Sequence, residues 1–150
     1  MNQYRPDVVA WAADNSENCR SIFTELGERP DLMRADPISA LRRIESELGA
    51  GWQPNAMPDE EWVQFRTFLM VVLAEFLISY HGARWEWAVD PSSPLGGRWT
   101  VAGFPHPLGQ ETRPVDVGGI VNDTRSMDDV SFVSLVNRAE AESGMREIAG

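Results

Sequence analysis

Residues 68–104, "FLMVVLAEFLISYHGARWEWAVDPSSPLGGRWTVAGF", decide the fold, because the hydrophobic period changes inside them at Gly82. Upstream, from Pro58 to His81, the apolar residues recur at helical spacing. Trp62, Phe65, Leu69, Leu73, Phe76 and Tyr80 share one face, and Val63, Met70, Ala74 and Leu77 widen it. Only Gln64, Thr67, Glu75 and Ser79 leave a narrow polar strip, so the helix belongs in the middle of a domain with that strip turned to solvent or to an arginine. Downstream the pattern alternates. Trp85, Trp87 and Val89 oppose Arg84, Glu86 and Ala88, then "DPSSPLGG" turns the chain, and residues 98–103 return with Trp99 and Val101 opposite Arg98 and Thr100. A hairpin follows from that alternation. Its tryptophan side reads as the inside, sealed onto the long helix, and Arg84, Glu86, Ala88, Arg98 and Thr100 read as its solvated side.

Working outward, residues 7–26 carry the stripe Val8, Ala12, Asn15, Cys19, Ile22 and Leu26, stopped by Gly27. Asp14-Asn15-Ser16 weakens its middle, leaving one helix or two shorter ones open. Asp36 caps a second helix, with Pro37 at its first position, Ile38, Leu41, Ile44 and Leu48 on one side and Gly49 at its end. The loop "GAGWQPNAM" leads from there to Pro58. Beyond the hairpin, "FPHPLGQETRP" is a proline-rich connector. Val115–Val117 reads as a third short strand, Gly118-Gly119 as a turn, and Ile120 and Val121 as a short helical segment. The closing helix is expected to start near Ser126 or Asp128, through a Ser126-x-x-Asp129 capping box, and to bury Phe132, Leu135, Val136 and Ala139 before Gly144. The expected fold is α+β: N-terminal helices and a long central helix packed on an antiparallel sheet of two or three strands, then a C-terminal helix. A length of 150 residues makes residues 1–150 one domain, and 43% hydrophobic content supplies its core.

Composition narrows the function. The net charge is −10, spread evenly along the chain, which excludes nucleic acid as a direct ligand and suits a basic protein partner. All 13 basic residues are arginine, a bias expected of a high-GC bacterial genome. The single Cys19 forms no internal disulfide and no metal pair, and fits a reducing compartment. The N-terminal "MNQYRPDVVAWAADN" lacks a basic segment followed by an apolar run. The longest apolar run, Phe68–Tyr80, is shorter than the roughly 20 residues a bilayer needs. A cytoplasmic protein with no membrane contact is therefore expected.

No Walker A loop, G-x-S-x-G elbow, H-E-x-x-H or G-x-G-x-x-G occurs. His81 and His106 with one distant cysteine make a poor zinc set, so neither metal nor cofactor is expected. Asp59, Glu60 and Glu61 read as acids stabilising the positive end of the long helix. The binding candidates are His106, held between two prolines in a loop, Trp99 on the hairpin, and Glu75 and Tyr80 on the long helix.

The order of an apolar helix ending in "FLISYHGARWEW", a hairpin, a "PVDVGGIV" segment and a short final helix resembles small bacterial α+β proteins. In those a Gly-x-x-Trp helix end feeds a hairpin followed by a Val-Asp-Pro-type strand end. Val117 stands where proline is usual. The resemblance covers residues 65–140 and supports the architecture without implying a catalytic residue; proteins of this style include immunity and accessory proteins. The functional expectation is a non-enzymatic interaction protein of that kind, binding a basic partner surface. The alternative is a small-molecule-binding or enzymatic domain with a pocket between the central helix and the sheet.

Overall fold

A computed structural model describes residues 6–145. The single-domain expectation for residues 1–150 and the reading of the N-terminal stretch therefore extend at residues 1–5 and 146–150 outside the described residues. The fold is α+β, with a long central helix and a C-terminal helix. Its elements are α1 (Val8–Glu25), α2 (Leu32–Ala35), α3 (Pro37–Leu48), α4 (Asp59–His81), β1 (Arg84–Val89), β2 (Gly97–Ala102), α5 (Val117–Asn122) and α6 (Phe132–Ser143).

Helix α4 is the hub: it contacts α1, α2, α3, α5, α6 and β2. Seven consecutive residues, Val71 to Leu77, are buried, so this part of the helix is covered on every side. By length and composition α4 could cross a bilayer, but half of its most apolar window is buried in the domain, the arrangement of a core helix. Gly82 closes it at φ 72°, a left-handed conformation that glycine adopts without a Cβ clash, and its amide donates to Ile78 O.

The polar strip along α4 does not run through to solvent. Gln64 and Thr67 are exposed, whereas Glu75 is only 2% exposed. The cause is tertiary: α1 crosses α4 there and supplies Asn15, whose Nδ2 donates to Glu75 Oε1 at 3.1 Å and to Val71 O at 3.5 Å. α1 is one unbroken helix despite Asp14-Asn15-Ser16, because Asn15 points inward to this carboxylate and does not compete for the local backbone.

β1 and β2 pair antiparallel from Arg84↔Ala102 to Val89↔Gly97, with Trp85 opposite Val101 and Trp87 opposite Trp99. The tryptophan face is covered chiefly by Trp11 of α1. The Trp11 ring lies parallel to Trp99 at 4.4 Å and edge-on to Trp85 at 5.6 Å. Trp85 and Val101 are buried, Trp87 and Trp99 are half-buried, and Val89 is exposed at the strand's open end. The opposite side is solvated only in part, because Thr100 and Ala102 are buried. The expected third strand shrinks to one residue. Val115 exchanges both backbone hydrogen bonds with Val101, at 2.8 and 3.0 Å, and Val117 already begins α5.

Gly118-Gly119 is the first turn of α5, not a loop turn. Asp116 caps this helix by accepting from the Gly119 amide at 3.0 Å. A Cβ on Gly119 would stand 2.9 Å from the Asp116 carboxylate, which explains a glycine inside a helix. The Asp116 carboxylate also fills the place an anion would need there.

α6 starts later than Ser126 or Asp128. Residues 123–126 form a 3-10 turn, the chain extends from Met127, and Ser131 caps the helix. The amide of Val133 is satisfied by Glu45 Oε2 of α3 at 2.8 Å. Ser131 accepts from the Ser134 amide at 3.3 Å, so the cap is local; Ser126-x-x-Asp129 reads as the start because it has the capping-box spacing.

Candidate interaction surface

The residues singled out in the sequence do not converge. Glu75 lies under α1 and α2, with Arg34 Nη2 at 3.6 Å from its second oxygen as well as Asn15 at the first. Cys19 faces the same spot, and a cavity of about 30 Å³ lined by Ser16, Cys19, Met33, Arg34 and Glu75 separates them, room for one water molecule. Burial first, and the Glu75 charge second, push the Cys19 thiol up to about 12. It is held as an inert thiol and not as a nucleophile.

Trp99 is engaged with Trp11, Trp85 and Trp87 in the aromatic cluster under the hairpin. Tyr80 is 49% exposed at the far end of α4, stacked on Phe76 at 5.3 Å. His106 is half-buried and bonded within its own turn: Nδ1 accepts from the Leu108 amide at 3.0 Å, and its carbonyl accepts from Gly109. The other histidine makes the tighter contact. His81 Nε2 lies 2.7 Å from Glu140 Oε2, both side chains buried, which ties the end of α4 to α6. Under the hairpin, Trp85, Val101 and Phe104 are all buried in the main core cluster.

A different place combines concavity, apolar surface and charge. In the loop between α3 and α4, Trp52 stacks on Phe65 of α4 at 5.4 Å, with the planes 11° apart, and remains 36% exposed. Gly51, at φ 105°, and the 3-10 turn Pro54–Ala56 turn the chain so that the indole lies along the helix. Clefts of about 390, 260 and 550 Å³ are each lined in part by Trp52. The first runs between α1 and α4. Its apolar walls are Ile22 of α1, Leu26 at the C-cap of that helix, and Phe65 and Phe68 from α4, and its polar groups include Glu25, Glu47 and Glu61. The third adds Glu45, Asp128 and Asp129.

The charged residues lining the first cleft are all acidic, with Arg43 bonded to its edge at Glu47 and at the Leu26 carbonyl. Glu47 pairs with Arg43 at 3.4 Å, but among the described residues neither Glu25 nor Glu61 has an ion-pair partner. Arg125 points the other way. It lies over the Trp62 ring at 5.3 Å and donates to the carbonyls of Pro54 and Met57, which fixes the loop carrying Trp52. Among the described residues no cluster of three His, Cys, Asp or Glu side chains is placed to hold a metal ion.

Sequence reasoning missed this surface because three elements build it. The signal available was a tryptophan inside a Gly/Pro loop with glutamates on both sides, Glu45 and Glu47 before it and Glu60 and Glu61 after it. Comparison of the chain with protein-family models, curated proteins and solved structures gives no match.

Proposed function

We propose that this chain is a non-enzymatic protein-interaction protein of the immunity or accessory kind, acting in the cytoplasm and binding a basic partner surface around Trp52. One observation carries the reading: an exposed indole at the meeting point of three clefts whose charged lining groups are acidic. Interface energy concentrates on aromatic anchors in concave sites, and carboxylates around them speed encounter with a basic partner and select against acidic ones. The chain's net charge of −10 acts in the same sense at longer range.

The test uses the native complex purified from source cells. The double variant Glu25→Arg/Glu61→Arg is expected to bind the partner at least about tenfold more weakly, with the wild-type affinity falling as salt rises. Charge reversal at Glu86, on the hairpin, is expected to leave affinity unchanged. Equal affinity of the double variant and the wild type would overturn the proposal.

A second reading, a ligand-binding or enzymatic domain, has the buried Glu75 in its favour, since a carboxylate out of solvent is a common catalytic device. It ranks below the first. The cavity beside Glu75 is about 30 Å³, whereas sites for small molecules run to about 300 Å³ or more.

A further inference from the structure

The groove beside Trp52 has a shape that specifies what enters it. Its walls are two helices, and the lining residues recur at helical spacing on both: Ile22 and Glu25 on α1 with Leu26 at its C-cap, and Glu61, Gln64, Phe65 and Phe68 on α4. The helices run antiparallel, since Asn15 of α1 meets Glu75 whereas Ile22 and Leu26 meet Phe65 and Phe68. The groove therefore follows the helix axes. From Glu61 to Phe68 it is about 10 Å long, two helical turns at 1.5 Å per residue. Trp52 and Glu47 stand at its α3 side.

We infer that the groove receives a short basic amphipathic helix of a partner protein, with two apolar anchors one turn apart and arginine or lysine on both flanks. The inference deepens the reading above and rests on it. Three features select this occupant. The floor of Ile22, Leu26, Trp52, Phe65 and Phe68 is apolar and about 390 Å³ is open over it, which suits anchor side chains at i and i+3 or i+4. Glu25 projects from one wall and Glu61 from the other, so carboxylates flank an inserted helix on both sides. The lining comes from the last turn and C-cap of α1, the last turn of α3, the first three turns of α4 and Trp52, and no strand contributes to it. An extended segment docks most readily on a sheet edge, and this groove has none in its lining; a helix satisfies its own backbone. A second copy of this chain is the wrong occupant on charge, because it carries −10 itself.

The experiment measures calorimetric binding of designed peptides to the whole chain. The first peptide is an amphipathic helix of about four turns, with leucines one turn apart and arginines on the flanks. The second has the same composition with the leucines moved so that no helical face forms. The third replaces arginine by glutamate. The first is expected to bind, to gain helical circular dichroism on binding, and to exceed the second by at least about tenfold; the third should not bind. Trp52→Ala and the conservative pair Glu25→Gln/Glu61→Gln should each weaken the first peptide by about tenfold or more, with unchanged far-ultraviolet spectra showing that the variants are folded.

Equal binding of the first two peptides, both lost in Trp52→Ala, would overturn the helix and leave the basic-partner reading standing. Absence of binding by the first peptide would overturn the inference. The reading beneath it would then be decided by whether Glu25→Arg/Glu61→Arg releases the native partner. Self-association of the chain that Trp52→Ala abolishes would seat a second copy in the groove, and would also overturn the inference.

Discussion

Replacing Trp85 by alanine is expected to lower the unfolding free energy by about 3–5 kcal/mol, the range for deleting a large aromatic from a packed interior. The same change at Trp87 is expected to cost about 1–2 kcal/mol, in proportion to the smaller area it buries. Alternation puts the two residues on one face, yet their surroundings differ. Trp85 is 4% exposed, meets Trp11 edge-on at 5.6 Å and Trp99 edge-on at 6.0 Å, and belongs to the main buried cluster. Its deletion leaves a cavity where the hairpin meets α1, and the surrounding helices cannot close over it. Trp87 lies farther along the strand, half-buried against Trp99 and over Gly97, where any Cβ would stand 2.6 Å from the indole. Urea denaturation monitored by far-ultraviolet circular dichroism measures both losses. Equal losses would show that the hairpin face is covered evenly along its length, contrary to the packing described above.

The second large effect concerns Glu75. Asn15→Leu is expected to destabilise the protein by about 2–3 kcal/mol, because the buried Glu75 side chain loses its amide donor. Arg34, 3.6 Å from the other oxygen, stays, but its side chain is 58% exposed and holds the carboxylate weakly. The double variant Asn15→Leu/Glu75→Leu is expected to recover most of that loss, since exchanging a buried polar set for apolar side chains of similar volume is often neutral or better. A double-mutant cycle therefore predicts a coupling of about 1–3 kcal/mol between the positions. No coupling would mean that Asn15 does not hold Glu75. On this account Glu75 pins α1 and α2 to α4. It is the one ionisable residue in the apolar stretch of α4 because its partners come from elsewhere in the chain.

These two residues also mark how far the sequence could be read. The parts set by local chemistry were legible. The Asp36 cap with Pro37 and Gly49, the span of α4 and its Gly82 stop, the hairpin alternation and the Gly144 stop all appear where spacing and backbone preference place them. What escaped depends on pairs of elements far apart in sequence. Of the two surroundings expected for Glu75, solvent or an arginine, the arginine is found in Arg34, whereas its burial under Asn15, 60 residues away, left no local mark. The start of α6 was placed at the Ser126-x-x-Asp129 spacing, whereas the helix begins at the Ser131 cap, where Glu45 of α3 also accepts from the Val133 amide. The hairpin does meet α4, but the share of its cover that comes from Trp11 of α1 was not read, since that contact joins residues about 75–90 apart in the chain. The Trp52 surface was not seen for the same reason: α1, α4 and the α3–α4 loop each contribute an ordinary-looking fragment. Of the residues chosen from the sequence, Trp99 and Glu75 are occupied with packing, Tyr80 lies at the opposite end of α4 from Trp52, and His106 bonds to its own turn.

The most direct measurement of the central claim is hydrogen exchange of the free chain against the purified native complex, followed peptide by peptide. The account predicts slowed exchange on complex formation in residues 22–26 and 47–68, centred on Trp52, with the hairpin 84–102 and the His106 turn unchanged. Protection confined to the hairpin or to the His106 turn, with residues 47–68 exchanging as in the free chain, would contradict it.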